Sequence, residues 1–474
     1  MATLASKLAN WTLVQSYEKL PAETVHEVKR RVLDSIGCAL GAYHSPPGKI
    51  ARAKAMSIND THAGTVLGTK HSTSPELATF ANGAMVRYLD FNDTYLSLEP
   101  AHPSDNIPAA WAVTEVTGKT GKDLITASVV GYEIQCRLCD AASLRKHGWD
   151  HVYYGALSTA LLSGWLWGLD AEQLEHALGL AGVCNIPTRQ TRTGQISMWK
   201  ACAFSNAGRN GVFAADLARR GMTGPNEIFE GPKGIFNMLV DGPFEPKLAN
   251  TPARAVDPRH AGSYMGEPVN IDYDGYMIDK TYIKFWPAEY HSQSAIDAAL
   301  QLRKEINGRE IKSIEIGSFE AAVSIIGSEP EKWRPTSRET ADHSMGYCVA
   351  CALIDGDVTR ESFTDEKIRD EKYLSLLDKT KIYEEDELNA GYPKGIPNHL
   401  KIELADGTKL DKRVDFPRGH AGNPMTDDEV VAKFMRNAAG VVSEDTAKNI
   451  IDLSWRLDEL DNITPLLSFE VLGK

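Results

Sequence analysis

Apolar residues recur every three to four positions through most of the first 270 residues of the chain. Val25, Val28, Val32, Leu33, Ile36 and Leu40 share one face of a segment that opens at Pro21, the spacing of an amphipathic helix. The same period predicts helices over 75–88, 107–117, 121–142, 156–167, 171–181 and 200–220, punctuated by Gly, Pro and Asn. Pro75 suits a first helical position, with Ser74 as its candidate cap. Strand signals are scarce in this part. Near Ile271 the helical period lapses into Asp272-Tyr-Asp-Gly-Tyr276. Beyond it, 311–316 and 400–404 alternate apolar with polar, and Asp406-Gly407 turns the second run into a returning strand over 410–416. Helices over 291–304 and 337–354 accompany them. After Pro417 the pattern is helical again: Thr426-Asp-Asp-Glu429 is a capping box ahead of Val430, Val431 and Phe434, and 447–457 forms a last helix.

These patterns predict a mainly α protein. An all-helical domain is built from residues 1–270 and 418–474, with an α+β module of 271–417 inserted between them. A chain of 474 residues exceeds one ordinary core, in keeping with two domains. A hydrophobic content of 42% and a charged content of 24% are those of a globular protein. No apolar run approaches the roughly 20 residues a bilayer requires, so no membrane partner is expected. The first residues lack the features of a secretory or mitochondrial leader, which points to the cytoplasm. A net charge of −13 argues against nucleic acid, although a local basic pocket can still gather an anionic substrate. Seven cysteines suit a reducing compartment. Cys136-x-x-Cys139 and Cys348-x-x-Cys351 have metal-ligand spacing but lie in helical stretches, where they read as small buried side chains. No metal or cofactor is expected. No glycine-rich nucleotide fingerprint occurs either; Gly208-Arg-Asn-Gly211 reads as a site of close helix packing.

The densest chemistry lies in Asp90-Phe-Asn-Asp-Thr94 and, a few residues on, His102-Pro-Ser-Asp-Asn106. Taken alone, an acidic loop is as well explained as a solvated turn. The second half favours a site: Pro103 biases His102 toward extended geometry, Ser104 or Asp105 can cap the following helix, and an imidazole beside acids suits proton transfer near neutral pH. Lys284, Glu289 and His291 bracket Pro287 close to the domain junction, where ligands are usually found. Arg189, Arg192 and Lys200 form a basic cluster suited to a polyanion. His151 precedes a helix, and Asp342-His343 stands near Tyr347. Singly, each has an ordinary structural explanation.

In order, the loop and His-Pro-Ser-Asp-Asn, Ser197-x-x-Lys200, Lys284-x-x-Pro-Ala-Glu-x-His291, Asp342-His343 with Tyr347, and Arg418-Gly-His420 with Asn423-Pro424 resemble the MmgE/PrpD family. The resemblance runs from about residue 5 to residue 470. It implies an inserted domain that acts as a lid, a homodimer, and a site between the domains that needs no metal. Family members include 2-methylcitrate dehydratase, cis-aconitate decarboxylase and an iminodisuccinate epimerase. The spacer 95–101, Asp105-Asn106 and Glu289 lean toward the dehydratase branch, acting on a small tricarboxylate in propionate breakdown through the methylcitrate cycle. A decarboxylase or epimerase is the alternative within the family, and a non-catalytic helical binding protein the alternative outside it. For a dehydratase, Asp90 or His102 is the expected proton acceptor, with the other orienting it. His151 or Tyr347 would help protonate the leaving hydroxyl, and Lys200 and Lys284 would hold carboxylates. Thr94, Glu289, His291, Arg418 and His420 complete the expected substrate contacts.

Overall fold

Helices carry 57% of the protein and strands 8%, so the chain is mainly α as its periodicity predicts. The computed structural model describes residues 2–60, 64–194, 196–249 and 275–473, with the backbone of the short strands Ser263–Tyr264 and Glu267–Pro268. The predicted change of character at Ile271 lies outside the described residues. Helices Ala22–Gly41, Pro75–Tyr88, Ile107–Thr117, Gly121–Ala141, Ala171–Val183 and Trp199–Arg219 follow the apolar pattern closely. Val152–Trp167 starts four residues earlier than the periodicity suggests, because its first turn is buried all round and shows no amphipathic contrast. Helices Leu4–Leu13 and Pro46–Met56 went unread; the second begins with two prolines and has few large apolar residues.

Close approach of helices is written into glycines. A Cβ at Gly211 would stand 2.0 Å from Thr159 Oγ1 and 2.5 Å from the Ala156 carbonyl oxygen, so Trp199–Arg219 seats against Val152–Trp167 only because that position is bare. One apolar core joins residues from Leu4 to Ile283 with residues from Met425 to Leu467, so both chain ends share it. Buried Lys433, on helix Asp427–Ala438, ties that return: its ammonium pairs with Asp34 at 2.6 Å and donates to the carbonyls of Phe91 at 2.6 Å and Lys284 at 2.9 Å.

A second core holds Leu96 and residues from Tyr282 to Val414. Its sheet contains β1 (Ile311–Ser318), β2 (Thr380–Glu384), β3 (Asn398–Leu404) and β4 (Lys409–Val414) in the order β2-β1-β3-β4. β1 pairs parallel with β2 and antiparallel with β3, which pairs antiparallel with β4 through the turn at Gly407 (φ 85°). β2 was not expected, its alternation being weak and its residues only half-buried. Helix Gln293–Ile306 packs across the sheet. The helix expected over 337–354 is two, Arg338–Ala341 and Met345–Asp355, and the break between them carries Asp342 and His343.

Candidate active site

Helix Pro75–Tyr88 ends just before the Asp90 loop, and Asp90 itself has φ 49°, a left-handed conformation unusual for a residue with a Cβ. The loop is closed by pairing of Tyr95 with Ala101 and of Thr94 with Tyr282, which brings the segment of Lys284 alongside. Asp90 is 1% exposed and almost wholly engaged. Its Oδ1 accepts from Arg87 Nη1 at 2.7 Å and Lys284 Nζ at 2.6 Å, and its Oδ2 from Lys200 Nζ at 3.0 Å. Burial alone would raise its pKa, but Arg87, Lys200, Lys284 and His343 outweigh it and hold the carboxyl well below the usual range. Lys200 also reaches Asp342 Oδ1 at 3.4 Å and His343 Nδ1 at 3.1 Å. Arg338 supports Asp342 from its other side at 3.1 Å.

Among the described residues, Asp90, Asp342 and His343 place ligand atoms within 4.8 Å of one another, close enough to hold a metal ion. The Lys200 ammonium already stands among all three, so the donor set is complemented by a protein cation and not left open for another.

Beyond Arg87 lie two imidazoles. His102 Nδ1 is 2.8 Å from the Asp93 carbonyl oxygen and 2.9 Å from Thr94 Oγ1, and Arg87 Nη2 approaches its Nε2 at 2.8 Å. His151 lies edge-on to it, ring centroids 5.9 Å apart, with Nδ1 3.1 Å from Asp150 Oδ1. Its Nε2 is buried and has no hydrogen-bond partner among the described residues. Arg192 Nε donates to Asp150 Oδ2 at 2.8 Å. Burial pushes the Asp150 carboxyl up, yet Arg192 and His151 hold it below its ordinary value. Desolvation lowers His102 well below its usual pKa, with Arg87 and Lys284 adding to the effect, and takes His151 down to about 3. The result is two neutral imidazoles beside a cation-rich cluster. Such a pair can exchange protons with a bound anion, whose charge favours protonation.

Residues 6–247 match the MmgE/PrpD N-terminal domain, and residues 286–459 match the MmgE/PrpD C-terminal domain. The chain belongs to the MmgE/PrpD family. It is 28% identical to a 2-methylcitrate dehydratase of Escherichia coli (strain K12), over 93% of this chain and 91% of the relative. A mitochondrial 2-methylcitrate dehydratase of Yarrowia lipolytica is 30% identical over 89% of this chain and 81% of its own. An alkylcitrate dehydratase of a fungal species is 28% identical over 87% and 83%. The chain is thus an enzyme of the hydro-lyase class.

Within this family member the expected residues divide. Asp90, Thr94, His102, His151, Lys200 and Lys284 come together. Tyr347 does not: it sits in the second core, its hydroxyl donating to the Ser362 carbonyl at 2.7 Å. Arg418 is bound to Glu429 through Nε at 2.9 Å and to Asn423 at 2.8 Å, an anchor for the start of helix Asp427–Ala438. His420 stacks on Tyr282 with centroids 4.5 Å apart, and its Nδ1 accepts from Gly422 N–H. Glu289 turns back to cap its own segment, accepting from the His291 amide and meeting His291 Nδ1, both at 2.8 Å. His291, Glu289 and Tyr290 adjoin the site through the Glu289 amide, which donates to the Asp342 carbonyl at 2.8 Å. Lys284 spends its ammonium on Asp90 and the Ala288 carbonyl, so it positions Asp90 and has no donor left over for a substrate carboxylate. Neither Ser104 nor Asp105 caps the following helix; both accept from Asn92 instead. Arg87 and Asp150 were missed, although each had a signal: Arg87 stands three residues before Asp90 at a helix end, and Asp150 directly precedes His151.

Proposed function

We propose that this protein dehydrates 2-methylcitrate to 2-methyl-aconitate without a metal. The observation that carries the reading is the pair of buried neutral imidazoles, one backed by a carboxylate, standing beside a cation-rich cluster. The dehydration removes a weakly acidic proton α to a carboxylate and expels a tertiary hydroxide, which leaves only when protonated. It therefore needs a base and an acid within reach of one substrate. His102 is the base: the C–H proton passes to its Nε2 as the double bond forms. His151 is the acid: protonated once the tricarboxylate is bound, it delivers the Nε2 proton to the hydroxyl, which departs as water. Asp150 stabilises its imidazolium, as a carboxylate behind a catalytic histidine does. Lys200 exchanges its long 3.4 Å contact with Asp342 for a substrate carboxylate and steadies the negative charge that develops as the proton leaves, and Thr94 stands beside His102 to meet another. Asp90 serves this arrangement as the anion that gathers Arg87, Lys200 and Lys284; so strongly stabilised a carboxylate is a poor proton acceptor.

The names of the relatives support the substrate, and the cluster's origin supports a site between two domains. Asp90 comes from the helical part, whereas Asp342 and His343 come from the part around the second core, which we read as a lid. A cytoplasmic homodimer serving propionate breakdown completes the reading; sedimentation tests the dimer.

Chelator-treated protein mixed with 2-methylcitrate should develop the absorbance of an unsaturated acid. His102→Gln and His151→Gln should each lower kcat by about 10²–10⁴-fold. A flat trace with 2-methylcitrate, together with release of carbon dioxide from cis-aconitate, would move the protein to the decarboxylase branch.

A further inference from the structure

We propose that Arg87 is a positioning residue that holds His102 in its Nδ1–H tautomer with the Nε2 lone pair capped, and releases that lone pair when an anionic substrate group draws the guanidinium away. The proposal rests on the reading of His102 as the proton acceptor.

The tautomer follows from what each neighbour can do. A carbonyl oxygen only accepts, so the 2.8 Å contact of His102 Nδ1 with the Asp93 carbonyl places the proton on Nδ1. A guanidinium only donates, so the 2.8 Å contact with Arg87 Nη2 makes Nε2 the acceptor. The two contacts agree on one state of the ring. Arg87 is 3% exposed and is itself fixed by Asp90 through Nη1 at 2.7 Å. One rigid fork thus joins the Asp90 cluster to the imidazole pair. A base whose lone pair is already taken cannot accept a proton, so turnover requires Nη2 to leave. A carboxylate offers a guanidinium opposite charge and two parallel acceptors, neither of which a neutral imidazole nitrogen supplies. A substrate carboxylate therefore competes well against Nε2. A second acceptor also waits beside the fork: Asp105 Oδ2 lies 3.8 Å from Arg87 Nε and is buried with no hydrogen-bond partner among the described residues.

The charged and titratable groups that act most on His102 are Arg87, Lys284, Asp90 and His151, with Asp105, raised to about 7 by burial, on the far side of Arg87. Of these, Arg87 and Lys284 oppose its protonation and Asp90 favours it, so removing the Arg87 charge should make His102 easier to protonate. Arg87→Gln retains a donor for Nε2 without the charge. It should keep the tautomer, move the acid limb of the kcat/KM profile up by about one pH unit, and raise KM for the anionic substrate. Arg87→Met, which has no donor, should leave Nε2 uncapped, while the Asp93 carbonyl still holds the proton on Nδ1. The ring state can be read without substrate from the nitrogen spectra of ¹⁵N-histidine-labelled protein, the His102 signals being assigned by difference against His102→Gln. Arg87→Lys keeps the charge and guards against loss of folding. A wild-type ring protonated on Nε2 would overturn the proposal. So would an Arg87→Gln profile with an unmoved acid limb and only a lower melting temperature, since that describes a structural strut. If the wild-type spectra show the Nδ1–H ring but 2-methylcitrate is not consumed, the substrate assignment fails and the role of Arg87 stands.

Discussion

Asp90 shows at the level of one residue how burial and pairing trade against each other. Its carboxylate lies among three buried cations, so Asp90→Asn should leave Lys284 and Arg87 without their counterion and cost about 3–5 kcal/mol of stability. Urea unfolding would measure this, and a variant of unchanged stability would mean that the cations find other partners. His420 makes an opposite case, a histidine read from sequence as a substrate contact but buried against Tyr282. Desolvation lowers its pKa to about 4. The unfolded chain, with a histidine near pKa ~6.5, then binds more protons than the folded one between the two values. Stability is present above that window and is lost as pH falls through it. His420→Phe should therefore lose less stability than the parent on going from pH 7.5 to pH 5, by about 2 kcal/mol. Parallel melting curves at the two values of pH would reveal it.

Single elements owe their places to a few polar anchors. Helix Asp427–Ala438 begins with the predicted capping box, Thr426 and Glu429 each bonding the other's amide, and Arg418 grips the same Glu429. Farther along, Lys433 pins the helix to Asp34 and to two backbone carbonyls. Lys433→Met should destabilise by about 3–5 kcal/mol, and adding Asp34→Asn should restore part of the loss because the stranded carboxylate is then neutral. An additive double variant would count against the pairing. Tyr347, by contrast, belongs to the packing of helix Met345–Asp355. Tyr347→Phe should leave kcat nearly unchanged and cost about 1 kcal/mol for the lost bond to Ser362. Capping signals of this kind are local, which is why Thr426 was legible in the sequence. The partners of Arg418 and Lys433 are set by the path of the chain in space, and the sequence is silent about them.

Across the whole molecule, two apolar cores meet where the polar cluster sits. Lys284 bonds the Asp90 carbonyl and carboxylate, and its own carbonyl receives Lys433, so it links the cores directly. Lys284→Met should loosen that link and resolve the calorimetric transition into two components. A single, merely shifted transition would show that apolar contacts alone couple them.

The sequence by itself determined the mainly helical character, most helix positions, the capping box at Thr426, and the residue types at the site. These follow from local rules: apolar period, caps, and the density of titratable groups in the Asp90–Asn106 stretch. Only the tertiary structure decided how those groups are paired and which are charged. Asp90 and Lys284 are partners that satisfy each other, Arg418 and Tyr347 are bound elsewhere, and His102 and His151 are left as buried neutral imidazoles. The physical reason is that protonation and availability depend on desolvation and on neighbours brought from distant parts of the chain. Lys200 meets Asp90 across 110 positions, and Lys284 meets it across 194. No local pattern encodes such a meeting; the packing of the helices does.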